Sequence, residues 1–220
     1  MVTDSFLVST RDSYDALAAE HADVVLSGLE DRPLDRALFA TFAELVQSGG
    51  GGPVADVGCG PGRVTDLLAR LGLDAFGIDL SPGMLKLARQ TYPELRFDEG
   101  SMLALDLPDG SLGGVLAYYS IIHIPWEQRA QLFAEFHRVL APGGVLMLVF
   151  QVGDERARRT DYDGTAIELD FYRQRPDEVA ELLVEGGFEV WATAVRGRAE
   201  WEKTDQGYLL VRKPAAVAGG

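Results

Sequence analysis

The chain has 220 residues, enough for one α/β domain with a full hydrophobic core. It carries 20 Lys and Arg against 34 Asp and Glu, a formal net charge of −14, and such an acidic surface argues against binding to nucleic acid or to an anionic membrane. The single cysteine, Cys59, excludes an internal disulfide and argues against a cysteine-based metal site. No apolar run approaches the roughly 20 residues that span a bilayer, and the N-terminus lacks the basic start of a secretory signal. We therefore expect a cytoplasmic protein without a metal.

Residues 1–48 are predicted to form an N-terminal helical cap. Apolar side chains recur at helical spacing from Tyr14 to Gly28, including Val24 and Val25, and a second helix begins near Pro33. The run of four glycines at 49–52 then predicts a break in the chain.

Seven short apolar segments after this break are predicted strands: residues 53–57, 75–80, 95–98, 112–120, 145–152, 188–195 and 207–212. Helical segments separate most of them, which predicts a parallel sheet with right-handed crossovers. The last two strands have no helix between them and are expected to pair as an antiparallel hairpin at an edge of the sheet. The fold class is therefore α/β, a Rossmann-like, doubly wound, mostly parallel seven-stranded sheet, with a core at 53–212 and a tail at 213–220.

Residues 153–173 interrupt the alternation of strands and helices. The stretch is polar, shows no clear period, and contains Arg156, Arg158 and Arg159. Because it follows the fifth strand at the carboxyl rim of the sheet, it is predicted to be a lid or loop on the substrate side. Its arginines would suit an anionic or carboxylated substrate, although charged runs are usually only solvated, and an ordinary surface loop is the alternative.

A glycine loop, Gly58-x-Gly60-x-Gly62, lies between the first predicted core strand and the next helix. Such a loop lets the backbone approach a nucleotide-like ligand or an anion at the helix N-terminus. The dinucleotide pattern would need a third glycine where Arg63 stands, and the P-loop pattern is absent. Asp79 ends the next strand, 17 residues after Gly62, where a carboxylate can accept both ribose hydroxyls of an adenosine.

Six segments carry a resemblance to a known family. They are residues 14–18 (YDALA), 54–62 (VADVGCGPG), 77–85 (GIDLSPGML), 107–112 (LPDGSL), 123–125 (HIP) and 138–144 (RVLAPGG). In this order and spacing the chain resembles class I S-adenosylmethionine-dependent methyltransferases over about residues 10–212. Within them it is most similar to the small-molecule group typified by ubiquinone and menaquinone biosynthesis.

The resemblance implies S-adenosyl-L-methionine as cofactor and S-adenosyl-L-homocysteine as product. It places the glycines near the methionine moiety, Arg63 near its carboxylate, and Asp79 on the ribose. Asp56 is expected to orient the glycine loop by accepting backbone N–H groups and to reach the ammonium of the cofactor. Ser101 stands where the family often has an Asp that contacts adenine. The implied cofactor-binding residues are Tyr14, Asp56, Gly58, Cys59, Gly60, Gly62, Arg63, Asp79, Leu80, Met84, Ser101, Met102 and Tyr119. For three of these residues a role without the cofactor is the alternative: a solvated side chain for Arg63, a core side chain for Met84 and a packing side chain for Cys59.

His123 is the candidate catalytic residue. It follows a strand whose carboxyl end should lie at the ligand crevice, and an imidazole with an ordinary pKa near 6.5 suits removal of a proton from a hydroxyl. The alternative is a structural histidine that binds the backbone of its loop. Tyr14 resembles the family's N-terminal tyrosine, which closes over the cofactor. His21, seven residues later on the same predicted helix face, is a further candidate to cap the site, and a half-buried helix residue is the alternative.

The sequence thus predicts a methyltransferase that moves a methyl group to a small-molecule acceptor by in-line displacement. We expect no nucleic-acid or membrane partner and a monomer or homodimer. A protein or tRNA methyltransferase is the first alternative. A non-catalytic cofactor-binding module of the same fold is the second, and an NAD-dependent oxidoreductase is more distant.

Overall fold

The computed structural model describes residues 5–22 and 32–215. Its helices are α1 (Ser5–Glu20), α2 (Pro33–Ser48), α3 (Arg63–Arg70), α4 (Pro82–Thr91), α5 (Arg129–Val139) and α6 (Pro176–Glu185). Its strands are β1 (Val54–Val57), β2 (Ala75–Asp79), β3 (Phe97–Glu99), β4 (Leu112–Tyr118), β5 (Leu140–Gln151), β6 (Arg156–Tyr162), β7 (Thr165–Tyr172), β8 (Glu189–Arg196) and β9 (Gln206–Arg212). The predicted helical positions Val24, Val25 and Gly28, and the tail from residue 216 onward, lie outside the described residues.

Seven strands form one sheet in the order β3-β2-β1-β4-β5-β9-β8. Strands β1 to β5 pair in parallel, and β9 runs antiparallel to both β5 and β8. The predicted mostly parallel sheet with a C-terminal hairpin is confirmed. The hairpin lies at one edge of the sheet, as predicted: β8 is the edge strand, with positions that alternate between exposed and half-buried, and β9 lies between β5 and β8 and is buried almost throughout. A strand with both faces covered belongs inside the sheet.

Helices cover both faces of the sheet. On one face, Phe39 and Phe42 of α2 pack with Leu68 of α3 and with β1, β4 and β5. On the other, Phe133 and Phe136 of α5 join Leu183 of α6 against the same central strands. None of the described helices is long and apolar enough to cross a membrane.

Helix α1 packs mainly against α4 and β7, while Phe6 and Leu7 near its start contact the core of the second layer. Its Leu17 and Ala18 pack against Met84 of α4 and against Ile167 and Leu169 of β7. The predicted N-terminal cap thus divides into α1, which rests near the carboxyl ends of the parallel strands, and α2, which packs on the sheet.

Residues 153–173, expected to be a lid or loop without regular structure, contain the antiparallel hairpin of β6 and β7. Asp163 and Gly164 form its turn with positive φ angles of 48° and 84°. An Asp-Gly turn is a strong hairpin signal, and Ile167, Leu169 and Phe171 alternate as a half-buried strand requires. The stretch looks irregular in sequence because β6 is mostly exposed and therefore shows no apolar face.

Candidate functional site

A cavity of about 230 Å³ opens at the carboxyl ends of β1, β2 and β4, under α1. It is where ligands bind in open α/β sheets, at the point where the strand order reverses. All the predicted cofactor-binding residues except Gly62 line it, and His123 lines it as well: Tyr14, Asp56, Gly58, Cys59, Gly60, Arg63, Asp79, Leu80, Met84, Ser101, Met102, Tyr119 and His123.

Gly62 does not line the cavity. It caps the N-terminus of α3 with φ 84°, and a Cβ there would lie 2.7 Å from Cζ of Phe97. The glycine therefore lets α3 start close against β3, and the tight approach is between two parts of the protein rather than between backbone and ligand. Gly58 does line the cavity, and a Cβ on it would lie 2.2 Å from Cβ of Ser120.

Asp56, near the end of β1, presents an acceptor without a partner. Its Oδ2 accepts a hydrogen bond from the Thr65 hydroxyl of α3 at 2.7 Å, whereas its Oδ1 is buried and has no partner among the described residues. The expected bond to the glycine loop is made by Asp79 instead, which accepts the Gly60 N–H. Burial raises the pKa of Asp56 to about 7. A buried carboxylate oxygen with no donor favours a ligand that brings a cationic or N–H group.

Asp79, the last residue of β2, joins the two loops that border the cavity. Its Oδ2 accepts the Gly60 N–H at 2.7 Å and its Oδ1 accepts the Ser81 N–H at 2.8 Å. Burial raises the pKa of this carboxyl group. Each carboxylate oxygen has a second lone pair, so these backbone bonds leave Asp79 able to accept two ligand hydroxyls.

Helix α1 is attached to the N-terminus of α4 through Asp15. Its Oδ1 accepts the Ser81 hydroxyl at 2.6 Å and the Gly83 N–H at 2.7 Å, and the Ser81 oxygen in turn accepts the Met84 N–H. A carboxylate at this position satisfies free N–H groups of the helix start and complements its partial positive charge. This contact, which the sequence analysis missed, fixes Tyr14 beside the cavity.

Tyr14 and His123 are hydrogen-bonded, with 2.7 Å between Tyr14 Oη and His123 Nε2. The other ring nitrogen, Nδ1, lies 2.8 Å from the carbonyl oxygen of Asp170 in β7. Because a carbonyl only accepts, Nδ1 carries the proton, and Nε2 accepts the proton of Tyr14. Burial lowers the pKa of His123 to about 4, so its imidazole is neutral at pH 7.

Helix α1 contributes Phe6, Leu7 and Thr10 to the cavity as well. These residues precede Tyr14 by eight, seven and four positions and so lie on one helix face with it. The signal was present in the sequence, but the helical spacing was followed only from Tyr14 onward. His21 lines neither of the cavities described here; its Nε2 lies 2.9 Å from the Thr165 hydroxyl and so joins α1 to the β6–β7 hairpin.

A second cavity, of about 470 Å³, adjoins the first. It lies between the ends of β4 and β5, the β6–β7 hairpin and the β8–β9 loop, and Tyr14 and Tyr119 line both cavities. Tyr119 adopts a left-handed conformation with φ 51°, and its hydroxyl is buried without a partner among the described residues. Such strain in a non-glycine residue is typical of functional sites.

The comparisons with known proteins agree with this geometry. Residues 54–144 match a family model described as a methyltransferase domain. The chain is 32% identical over 152 residues to a probable S-adenosylmethionine-dependent methyltransferase of Mycolicibacterium smegmatis, covering 68% of this chain and 56% of that protein. It is 37% identical over 97 residues to a demethylmenaquinone methyltransferase of Chlorobaculum parvum, covering 44% and 39%.

The fold is similar to that of a solved S-adenosylmethionine-dependent methyltransferase from Methanosarcina mazei, with a TM-score of 0.67, 20% identity, and coverage of 76% of this chain and 94% of that one. The chain spans only about half the length of the curated relatives, 56% and 39%. The matched domain contains the glycine loop and Asp79, and the sheet and cavity are those expected for it. The chain therefore belongs to the class I S-adenosylmethionine-dependent methyltransferases.

Proposed function

We propose that the protein is an S-adenosylmethionine-dependent methyltransferase that acts on a small-molecule acceptor. The observation that carries the proposal is that Tyr14 and Tyr119 line both cavities. Ligands held in the two cavities would meet at these tyrosines, which is the arrangement that transfer between a cofactor and an acceptor requires. The demethylmenaquinone methyltransferase among the relatives supports a small acceptor.

The residues of the first cavity fit the cofactor. The unpartnered Oδ1 of Asp56 suits the ammonium group, Asp79 suits the ribose hydroxyls, and Arg63 suits the carboxylate. Leu80, Met84 and Met102 offer apolar contacts for the adenine. S-adenosylmethionine supplies a methyl group activated on a sulfonium, so the protein has to bind, align and exclude water rather than form a covalent intermediate.

The Tyr14–His123 pair is the proposed proton acceptor, with Tyr14 nearest the methyl acceptor. His123 lines the first cavity only, while Tyr14 also lines the second. A proton from an acceptor hydroxyl would pass to Tyr14 Oη as the Tyr14 proton moves to His123 Nε2. The carbonyl oxygen of Asp170, which accepts the Nδ1–H, would stabilise the resulting imidazolium. Burial lowers the pKa of His123 and so makes it a weaker base, and a negative charge on the bound acceptor would raise that pKa again.

The test has two steps. Isothermal calorimetry with S-adenosylhomocysteine, with NAD⁺ as the comparison ligand, should show binding of the first compound only. Methyl-labelled S-adenosylmethionine is then incubated with the protein and a panel of metabolites, a protein extract and tRNA. Label in a small molecule supports the proposal. Label in protein or tRNA, binding without any transfer, or binding of NAD⁺ instead would each overturn it.

A further inference from the structure

The second cavity is basic, although the chain as a whole carries a net charge of −14. We propose that the methyl acceptor carries a carboxylate or phosphate group, held in this cavity between Arg159 of β6 and Lys203 of the β8–β9 loop. This inference rests on the proposed function, since it names the substrate class of the same site.

The charge of the cavity is opposite to that of the chain. Of the described residues that line it, five are basic and one, Glu202, is acidic. The basic ones come from three separate segments: Arg32 before α2, Arg158, Arg159 and Arg173 in or next to the β6–β7 hairpin, and Lys203. Cavities lined by one sign of charge concentrate ligands of the opposite sign, and low-dielectric walls strengthen the effect.

Two of the five cations have no carboxylate partner among the described residues, and they are Arg159 and Lys203. The other three are paired: Arg32 with Asp35 at 3.7 Å, Arg158 with Glu168 at 3.3 Å, and Arg173 with Glu155. Since Arg159 and Lys203 come from different elements and still line one cavity, an anion there gains two cationic contacts without breaking an existing ion pair.

Three residues that line the same cavity carry buried polar atoms without partners among the described residues. Tyr119 Oη and Arg173 Nε are donors that are buried and unpaired among the described residues, and both residues line the cavity. Gln206 Oε1 is a buried, unpaired acceptor there, with the orientation of its amide set by a bond from Nε2 to the Thr204 carbonyl. Buried polar groups normally have partners, so these atoms favour a ligand with an anionic group and one hydroxyl or amine.

The test uses the full chain saturated with S-adenosylhomocysteine. Citrate, inorganic phosphate and the uncharged trimethyl ester of citrate are titrated separately by calorimetry, at low and high salt. We expect citrate or phosphate to bind, more weakly at high salt, and the ester not to bind. Citrate binding alone identifies a carboxylate acceptor, and phosphate binding alone a phosphorylated one.

Arg159→Gln and Lys203→Gln should each weaken the binding of that anion about tenfold, because each removes one charge-assisted contact. Lys86→Gln, on the exposed face of α4 and outside both cavities, is the matched control and should leave it unchanged. All three variants should keep the wild-type affinity for S-adenosylhomocysteine.

Two results would overturn the inference while the proposed function stands: S-adenosylhomocysteine binds but neither anion does at millimolar concentration, or an anion binds equally well to both variants. Label found in a neutral or purely cationic acceptor would do the same. Failure to bind S-adenosylhomocysteine is a different result, and it would overturn the proposed function instead.

Discussion

The hydroxyl of Tyr14 donates to Nε2 of His123 at 2.7 Å, although 109 positions separate the two residues in sequence. The pair brings together α1, the loop after β4, and β7 through the Asp170 carbonyl. Ser13 strengthens this junction, since its hydroxyl accepts the Glu168 N–H of β7 at 2.8 Å. The catalytic candidate is therefore completed only when α1 and the β6–β7 hairpin are both docked on the sheet.

Tyr14→Phe and His123→Asn should each lower kcat by about 100-fold, because a positioned proton acceptor contributes about this factor. The affinity for S-adenosylhomocysteine should change little, since neither substitution removes a charged group. Tyr92→Phe, whose ring lies outside both cavities, is the matched control. Turnover is measured with the acceptor found in the labelling screen. A wild-type kcat in either variant would remove the pair from the reaction.

Asp79→Asn should lower the affinity for S-adenosylhomocysteine, measured by calorimetry, about 10- to 100-fold, which is the usual effect of losing a hydrogen bond to a charged group. The carboxylate both accepts the Gly60 N–H and offers oxygens to the ribose, so the amide impairs the loop and the ligand together. Asp74→Asn, an exposed aspartate just before the same strand, should bind like wild type. Equal affinity for the two variants would contradict the ribose assignment.

The affinity for S-adenosylhomocysteine should rise about tenfold from pH 6 to pH 8, because burial raises the pKa of Asp56 to about 7 and only its ionised form attracts the ligand's ammonium. Binding is then expected to release a proton, visible as calorimetric heats that depend on the buffer. Asp56→Asn should bind more weakly and lose the pH dependence. A wild-type affinity that is flat with pH would show that Asp56 does not contact the ammonium.

Two buried groups of the site, Asp56 and His123, have opposite effects on how the stability of the ligand-free protein changes with pH. Asp56 has a raised pKa, so its contribution is present at low pH and is lost as the pH rises through about 7. His123 has a lowered pKa, so its contribution is present above its ordinary value near 6.5 and is lost as the pH falls through about 4. His123→Asn should therefore lower the free energy of unfolding, measured by urea denaturation, less at pH 5 than at pH 7. An equal loss at the two pH values would contradict the burial of a neutral imidazole.

The sequence alone predicted the features whose residues lie close together in the chain. The glycine loop and Asp79 were predicted because strand, turn and helix follow one another within 30 residues, and the mostly parallel sheet was predicted because helices separate most of the strands. The pairs Asp15–Ser81 and Tyr14–His123 join segments far apart in the chain, and the cations of the second cavity come from three segments. Such contacts leave no periodicity to detect, so only the folded arrangement reveals them.

Asp35 of α2 carries the largest expected effect on stability. Its side chain is fully buried and accepts the hydroxyls of Tyr118 at 2.6 Å and Tyr208 at 2.5 Å, with Arg32 at 3.7 Å. Asp35→Asn should lower the free energy of unfolding by about 1–3 kcal/mol, since one amide oxygen cannot serve both hydroxyls as the carboxylate does. Asp35→Leu should cost about 3–5 kcal/mol, because it leaves both tyrosine hydroxyls without an acceptor and removes the carboxylate beside Arg32.

Urea denaturation measures these changes. Asp12→Asn is the control, because Asp12 is exposed and paired with Arg11 at the surface, and its loss should cost less than about 1 kcal/mol. Adding Tyr118→Phe to Asp35→Leu should recover part of the lost free energy of unfolding, since it removes one of the two hydroxyls left without an acceptor. Tyr118 lines the first cavity and Arg32 the second, so the stability loss should come with weaker S-adenosylhomocysteine binding. If Asp35→Leu were as stable as Asp12→Asn, the buried carboxylate would not be what holds α2 to β4 and β9.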